Sequence, residues 1–243
     1  MKTGALSTHR LTANQMATKV SELLDDPNRA RFSAAKVLEG LNNAIADFSI
    51  LSRFKYDGVD VEFTADQRDY NIITFIDAGA KSELGYVARI GKYDGSTQDF
   101  PYEFLKGDPL MKLDRYGLTT LGTGMAEAWH KDMVDYHQLS IVPIPEDDFT
   151  AGPPKNHGVY VLYVAVADLM TYSAPDFGGL DADIPTLAQL PICYGAAAMI
   201  LEYGGADEVK RAQDYFKEFY KGIDSCIASD DLAKGEFRSM RAL

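Results

Sequence analysis

The first quarter of the chain has apolar residues at helical spacing and predicts two helices. Thr12 and Gln15 have the spacing of a capping box, so the first helix is expected to begin directly after Thr12. Pro27 breaks the pattern, because proline cannot continue a helix, and Ser33 is the expected N-cap of the second helix. The predicted apolar stripes are Met16, Val20, Leu23 and Leu24 in the first helix, and Val37, Leu41, Ile45, Phe48 and Leu51 in the second.

From Gly58 onward the apolar spacing changes to every second residue, which predicts strands. Val59, Val61 and Phe63 alternate with acidic side chains, as in a half-buried strand. Further strands are predicted at residues 70–75, 86–90, 139–142 and 159–167. The last of these has no polar face, so it lies either inside the domain or under a neighbouring chain. We expect this strand to lie inside the domain.

The C-terminal quarter returns to helical spacing. Pro185 opens a helix that carries Leu187 and Leu190, and Gly204 ends it. Asp207 is the expected cap of a last helix, whose apolar side consists of Val209, Ala212, Phe216, Phe219, Ile223 and Cys226. The apolar period fades after Ser225, so an extended tail is expected at residues 229–243.

The order of elements predicts an α+β fold in which a discontinuous helical bundle surrounds a β-rich central insertion. The expected divisions are the N-terminal bundle helices at 1–56, the insertion at 57–170, the C-terminal bundle helices at 171–228 and the tail at 229–243. Within the insertion, residues 95–128 are punctuated by glycines and show poor periodicity. Such a stretch is usually functional or ordered by a partner.

Composition limits the classes of function. The 243 residues include 24 Lys+Arg and 36 Asp+Glu, a net charge of −12, which argues against a broad surface for nucleic acid or anionic membrane. Residues 37–207 hold 11 basic and 26 acidic side chains, so the acid excess lies in the middle. The sequence has no apolar run long enough to span a membrane and no apolar secretory segment at its start, so the expected compartment is the cytoplasm.

Motifs for catalysis, metals or cofactors are sparse, and the sequence predicts no catalytic residue, no metal site and no cofactor. His130 and His137 are seven residues apart, which is too far for two ligands of one metal unless other residues fold in. Residues 146–148 and the pair Asp181 and Asp183 could bind a divalent cation, but solvated loops are the favoured interpretation. Cys193 and Cys226 are expected to be buried, reduced thiols.

Fourteen tyrosines give the sequence a weak indication of protein–protein contact, because tyrosine is favoured at interfaces. Tyr160 and Tyr163 lie in the apolar strand, and Tyr215 and Tyr220 flank the stripe of the last helix. These four are the predicted residues of a subunit interface, although aromatic stripes on helices belong more often to a core.

The order of these features resembles the head-to-tail adaptor, or connector, proteins of tailed bacteriophages. In that family an opening helix is followed by an Asp-Pro turn, an aromatic-Ser helix start, a β-rich segment and an Ala-rich helix near the end. The matching segments here are VSELLDDP at 20–27, RFSAAKVL at 31–38, LNN at 41–43, DYNI at 69–72, LSIVPIP at 139–145, DIP at 183–185, AAAMILEY at 196–203 and AQDYFKEFY at 212–220. Residues 95–128 depart from the family pattern.

The resemblance implies a non-enzymatic virion protein at the head-to-tail junction, or neck. Adaptors of this kind form a homo-oligomeric ring, commonly of twelve subunits, between the portal protein and the tail or its stopper or nozzle protein. DNA passes through the lumen without sequence-specific contact. The C-terminal segment of the family docks on the portal, and the residues this implies here are Phe237, Arg238, Met240, Arg241 and Leu243.

Two other functions remain open at the level of sequence. Another neck or tail-completion ring protein would share the architecture but bind the tail instead of the portal. A small metal-dependent hydrolase would use the acidic clusters with His130 or His157.

Overall fold

The computed structural model describes residues 10–62, 64–79, 81–92, 103–104, 106–107, 123–124, 128–131, 138–142, 144–145 and 158–240. In chain order the elements are α1 (Ala13–Leu23), α2 (Ala34–Ser52), β1 (Tyr56–Glu62), β2 (Asp69–Asn71), α3 (Ile72–Ala78), β3 (Leu84–Lys92), β4 (Glu103–Phe104), β5 (Lys106–Gly107), β6 (Thr123–Gly124), β7 (Ala128–Lys131), β8 (Gln138–Val142), β9 (Ile144–Pro145), β10 (Gly158–Ala165), β11 (Thr171–Ser173), β12 (Asp176–Gly178), α4 (Thr186–Leu201) and α5 (Ala206–Met240). The fold is mixed α+β, as predicted.

The chain forms two compact units. The helical unit combines Met1–Lys55 with Val166–Leu243, and the sheet unit is Tyr56–Ala165. Residues 166–170 fall in the helical unit and not in the insertion where they were expected. The reason is packing, since Ala167 and Met170 are buried in the helical core.

The predicted helix starts at the N-terminal end are confirmed. Gln15 N donates to Thr12 Oγ1 at 3.2 Å and Thr12 N donates to Gln15 Oε1 at 2.8 Å, which completes the capping box. Ser33 Oγ accepts from Lys36 N at 3.3 Å and caps α2. Between the helices, the Asp26 carboxylate accepts from three backbone N–H groups, those of Ala30, Arg31 and Phe32.

The core of the helical unit forms around α4, which packs against α1, α2 and α5. Phe48 on α2 and Phe219 on α5 meet edge to face, with ring centroids 5.9 Å apart. Both cysteines, Cys193 and Cys226, are buried and not linked by a disulfide. Burial raises the pKa of the Cys193 thiol to about 12, so it stays protonated.

The sheet unit has β10 at its centre. Its main sheet has the order β1-β10-β3-β4, and a second sheet has the order β2-β8-β7-β5. Most side chains of β10 are buried, and Val159, Val161, Tyr163 and Ala165 belong to the core of this unit. The absence of a polar face on this strand is therefore explained largely inside the unit.

Two predicted elements are wrong. Residues 70–75 are not one strand, because β2 ends at Asn71, whose side chain accepts from Ile73 N at 3.0 Å and caps α3. Ile72 and Ile76 are buried one helical turn apart. Residues 229–240 are not extended, since the backbone of α5 remains helical to Met240. This segment has no proline, and six of its twelve residues are good helix formers, which is compatible with a helix that lacks a continuous apolar stripe.

One position of the predicted apolar stripes is also wrong, since Leu51 is more than two fifths exposed. Leu187 and Leu190, which were expected on the helix after Pro185, are exposed to the same degree. On α4 the buried side instead consists of Ala188, Gln189, Ile192, Cys193, Ala196, Ala197, Ala198, Ile200 and Leu201. Because α4 is apolar on all sides, periodicity alone does not identify the side that packs.

Several sequence predictions fall outside the described residues. These are Phe63, Arg241, Leu243, His9, His137, His157, residues 146–148 and most of residues 95–128. The side chains of His130, Phe237, Arg238 and Met240 are likewise outside the described set.

Candidate interaction surfaces

The aromatic stripe of α5 divides into a buried part and an exposed part. Phe219 is buried, and a Cβ on Gly195 of α4 would meet its ring, so this residue belongs to the core. Tyr220 is 52% exposed. Its ring lies 5.5 Å from that of Phe219 and 6.2 Å from that of the half-buried Phe216. Tyr220 thus presents an aromatic ring, fixed by its neighbours, on the outside of the helical unit.

Tyr215 has an internal role. Its hydroxyl donates to the Leu23 carbonyl oxygen at 3.0 Å, at the last residue of α1. Arg211 donates to the same oxygen at 2.6 Å and forms an ion pair with Asp25 at 2.8 Å. Tyr215 and Arg211 therefore provide hydrogen bonds to a carbonyl group in the last turn of α1, where helix carbonyls lack partners within the helix, and they connect α5 to α1. Only part of the Tyr215 ring is exposed.

The two predicted tyrosines of β10 differ. Tyr163 is fully buried, and its hydroxyl donates to the Ser82 carbonyl oxygen at 2.7 Å. Burial raises its pKa above the ordinary tyrosine value. A side chain with no exposed surface cannot contact another chain, so the prediction for Tyr163 is wrong. Tyr160 is half-buried and its hydroxyl covers Gly58, where any Cβ would overlap it.

An exposed apolar patch that the sequence did not indicate lies beside α1 and α4. Leu187 is 49% exposed and Leu190 is 42% exposed. A groove of about 470 Å³ is lined by Leu190 of this patch together with Leu11, Gln15 and Lys19. The sequence signal was present, since two leucines three residues apart share a helix face. Nothing local in the sequence shows whether that face is covered or exposed.

The acidic pair Asp181 and Asp183 is occupied by a cation of the protein itself. Lys55 Nζ lies 2.7 Å from Asp181 Oδ2 and 3.3 Å from Asp183 Oδ2. Burial disfavours the charged form of Asp181, but hydrogen bonds from Lys55 and from backbone N–H groups outweigh it and lower the pKa. Among the described residues no group of three or more His, Cys, Asp or Glu is placed to hold a metal ion.

The acid excess is concentrated in one unit. The sequence of the sheet unit contains nine Lys or Arg and eighteen Asp or Glu residues, a net charge of −9. The helical unit contains fifteen and eighteen, a net charge of −3. Most of the net negative charge that the sequence places in the middle of the chain therefore belongs to the sheet unit.

Comparison of the chain with protein-family models and with curated proteins gives no match. Within the described part of the chain, no helix is both long and apolar enough to cross a membrane.

Proposed function

We propose that this protein is a head-to-tail adaptor of a tailed bacteriophage, a non-enzymatic subunit of a homo-oligomeric ring in the virion neck. The observation that carries the proposal is the organisation of the chain. The helical unit is built from two segments that are separate in the sequence, and the acidic sheet unit is inserted between them. The second segment ends with the 35-residue helix α5. This organisation agrees with the order of features that resembles the adaptor family.

Ring closure requires two different surfaces on each subunit, because head-to-tail contacts are heterologous. The helical unit has several exposed apolar side chains, and we assign the ring contacts to two groups of them. One is Tyr220 on α5, and the other is Leu187 and Leu190 beside the α1/α4 groove. A ring of commonly twelve copies would bury these residues between neighbouring subunits, and their exposure on the single subunit supports the proposal.

The acidic sheet unit suits a channel through which DNA slides. A wall with a net negative charge repels the phosphate backbone and denies it the basic contacts that produce tight, sequence-independent binding. We assign the channel-facing surface to the sheet unit because its net charge is −9, against −3 for the helical unit.

The proposed portal contact lies in the last part of α5 and the residues after it. Ile223 and Cys226 are the last buried residues of α5 among its described side chains. Phe237 and Met240 follow them at matching positions, each fourteen residues later in the sequence. Residues fourteen apart lie on nearly the same side of a continuous helix. We therefore propose that Phe237 and Met240 are the apolar residues of this segment that enter a groove on the portal.

Binding to the portal protein encoded in the same genome tests this function. Removing residues 229–243 is expected to abolish capture of the adaptor by portal rings while leaving its thermal unfolding almost unchanged. The paired substitutions Phe237→Ser and Met240→Ser should weaken binding at least tenfold. The matched pair Lys234→Ser and Glu236→Ser, in the same segment, should have a small effect.

Full portal binding by the truncated protein would refute the docking assignment. If the intact protein forms rings but binds tail-completion proteins and not the portal, the alternative of another neck ring replaces the adaptor. A discrete monomer that joins neither structure would contradict both. Light scattering after size-exclusion chromatography, alone and with each partner, separates these results.

A further inference from the structure

Two exposed apolar side chains form a ridge on α5. Tyr220 is 52% exposed and Ile227 is 37% exposed, and residues seven apart lie on nearly the same side of a helix. The Tyr220 ring lies 6.2 Å from the ring of Phe216 and 5.5 Å from that of Phe219. The ridge, Tyr220 and Ile227, is therefore an apolar surface on the outside of α5 whose aromatic ring is already held in place.

The α1/α4 groove has the chemistry that a tyrosine side chain requires. It has a volume of about 470 Å³ and is lined by Leu11 and Leu190, with Thr18 and Lys19 on its α1 side. A tyrosine buries a large apolar ring, and its hydroxyl then usually finds a hydrogen-bond partner. A tyrosine that enters this groove can place its ring against the two leucines and its hydroxyl beside Thr18 or Lys19.

The ridge and the groove face in different directions. The Tyr215 hydroxyl on α5 donates to the Leu23 carbonyl oxygen of α1 at 3.0 Å, and a Cβ on Gly222 would overlap Pro191 of α4. These contacts mark the side of α5 that packs on α1 and α4. At about 100° per residue, Tyr220 is rotated by about 160° from Gly222. The ridge therefore lies on the side of α5 that is turned away from α1 and α4.

The charges beside the two surfaces are complementary. Asp224 is exposed one helical turn after Tyr220, and it has no ion pair with another residue in the described part of the chain. On the groove side, Lys19 Nζ lies 3.1 Å from Glu22 Oε2. Because an ammonium group has three donors, Lys19 can bind a second carboxylate while it keeps this contact. An acid beside the ridge thus matches a lysine on the wall of the groove.

We propose that the ridge of one copy of this chain docks in the α1/α4 groove of a second copy, with Tyr220 against Leu190 and Asp224 facing Lys19. A contact between two different surfaces is head-to-tail, so a third copy can add in the same way. This inference rests on the proposed function and deepens it, because it names the two surfaces that meet between neighbouring subunits of the ring.

Chemical cross-linking between two full-length variants tests the pairing. Tyr220→Cys and Leu190→Cys replace exposed side chains, and the native Cys193 and Cys226 are buried. The two variants are mixed and treated with a short bismaleimide, and mass spectrometry identifies the linked peptides. A head-to-tail contact should give about tenfold more product between positions 220 and 190 than between two copies of either position.

Tyr203→Cys is the matched control for the cross-linking. Tyr203 is 89% exposed but lies at the turn between α4 and α5, outside the ridge. Mixed with Leu190→Cys, it should give about tenfold less product than Tyr220→Cys does, because exposure alone does not bring two surfaces together. The wild-type protein should give no cross-linked product, since both of its thiols are buried.

Exchange of the two charges provides a second measurement. Lys19→Glu and Asp224→Lys should each weaken self-association by at least about threefold in sedimentation velocity, because each places like charges opposite each other. The two substitutions in one chain should restore association to within about twofold of the wild type, since every contact then carries the exchanged pair. Recovery of this kind supports the register, and its absence would overturn the contact between Asp224 and Lys19.

Other outcomes would overturn the pairing as a whole. A predominance of links between two copies of position 220, or of position 190, would show that like surfaces meet. A yield between 220 and 190 no higher than that of the Tyr203→Cys control would show that ridge and groove do not meet. Rings without the expected product would refute the pairing and leave the adaptor function intact. The expected product in a protein that does not bind the portal would support the pairing and refute the adaptor function.

Discussion

A Cβ atom placed on Gly195 would lie 2.6 Å from Cδ2 of Phe219, so α4 and α5 approach each other at this glycine. Gly195→Ala is therefore expected to lower the free energy of unfolding by about 1–3 kcal/mol through overpacking. That loss exceeds the gain of up to about 1 kcal/mol from the higher helix propensity of alanine. Urea denaturation followed by circular dichroism measures the difference.

Gly178→Ala is the control for this contact. A Cβ at Gly178 would meet Thr171 Oγ1 at 3.6 Å, an ordinary van der Waals distance, so the substitution should change the free energy of unfolding by less than about 0.5 kcal/mol. Equal effects of the two substitutions would show that the close approach at Phe219 does not limit the packing of α4 on α5.

The turn between α1 and α2 predicts a dependence on pH. The backbone N–H of Phe32, with those of Arg31 and Ala30, holds the pKa of Asp26 below its ordinary value. A lowered folded-state pKa contributes stability above the ordinary value of about 3.9, and this contribution is lost as pH falls through the lowered value. Asp26→Asn should therefore flatten the fall of the melting temperature between about pH 5 and pH 2.

An NMR titration of the Asp26 carboxyl checks the cause directly. The pKa of the Asp26 carboxyl should lie below the ordinary aspartate value in the folded protein. A folded-state pKa at or above about 3.9 would contradict the assignment. So would identical acid unfolding curves for the wild type and Asp26→Asn.

Local signals predicted the parts of this fold that depend on neighbouring residues. The caps at Thr12 and Ser33 were readable because a side-chain oxygen and its N–H partners are three residues apart. The structure of the short apolar run at 70–75 could not be predicted, since strand and helix are equally compatible with such a run. The Asn71 cap decided between them.

Contacts between distant residues could not be predicted. Lys55 and Asp181 are 126 positions apart, and a sequence pattern gives no sign that they meet. The same limit explains Leu187, which has the spacing of a core residue although the folded unit leaves it exposed. Tyr163 shows the reverse case, because the sheet covers a tyrosine that composition had suggested for an interface.

The register of β1 and β10 predicts that the helical unit folds without the sheet unit. Tyr56 and Val164 are partners in the antiparallel ladder, so their Cα atoms are about 5 Å apart. Among the residues that the structure describes, no member of the helical core comes from the range 56–165. Replacing residues 57–163 by Asn-Gly, a two-residue hairpin turn, should leave a cooperative thermal transition and dispersed amide resonances.

A second variant, in which the same turn joins Asp60 to Tyr160, tests the choice of junction. These residues are also ladder partners, so it too should fold. If both variants lack a cooperative transition, the helical unit requires the sheet unit for stability, and the two units do not fold independently.

The exposed ring of Tyr220 predicts its part in self-association. Tyr220→Ala removes a ring that is 52% exposed and supported by Phe216 and Phe219, so it should reduce the stability of the monomer by no more than about 1.5 kcal/mol. Tyrosines supported in this way often dominate contact energy, and the loss should weaken self-association at least tenfold by sedimentation velocity. The matched substitution Tyr203→Ala removes a ring that is 89% exposed at the turn between α4 and α5, which has fewer supporting contacts. We expect it to change association by less than threefold, because a pre-ordered ring contributes more binding energy than one that must be immobilised on contact.

Equal effects at the two positions, or a larger effect at Tyr203, would show that the subunit contact does not lie on the aromatic face of α5.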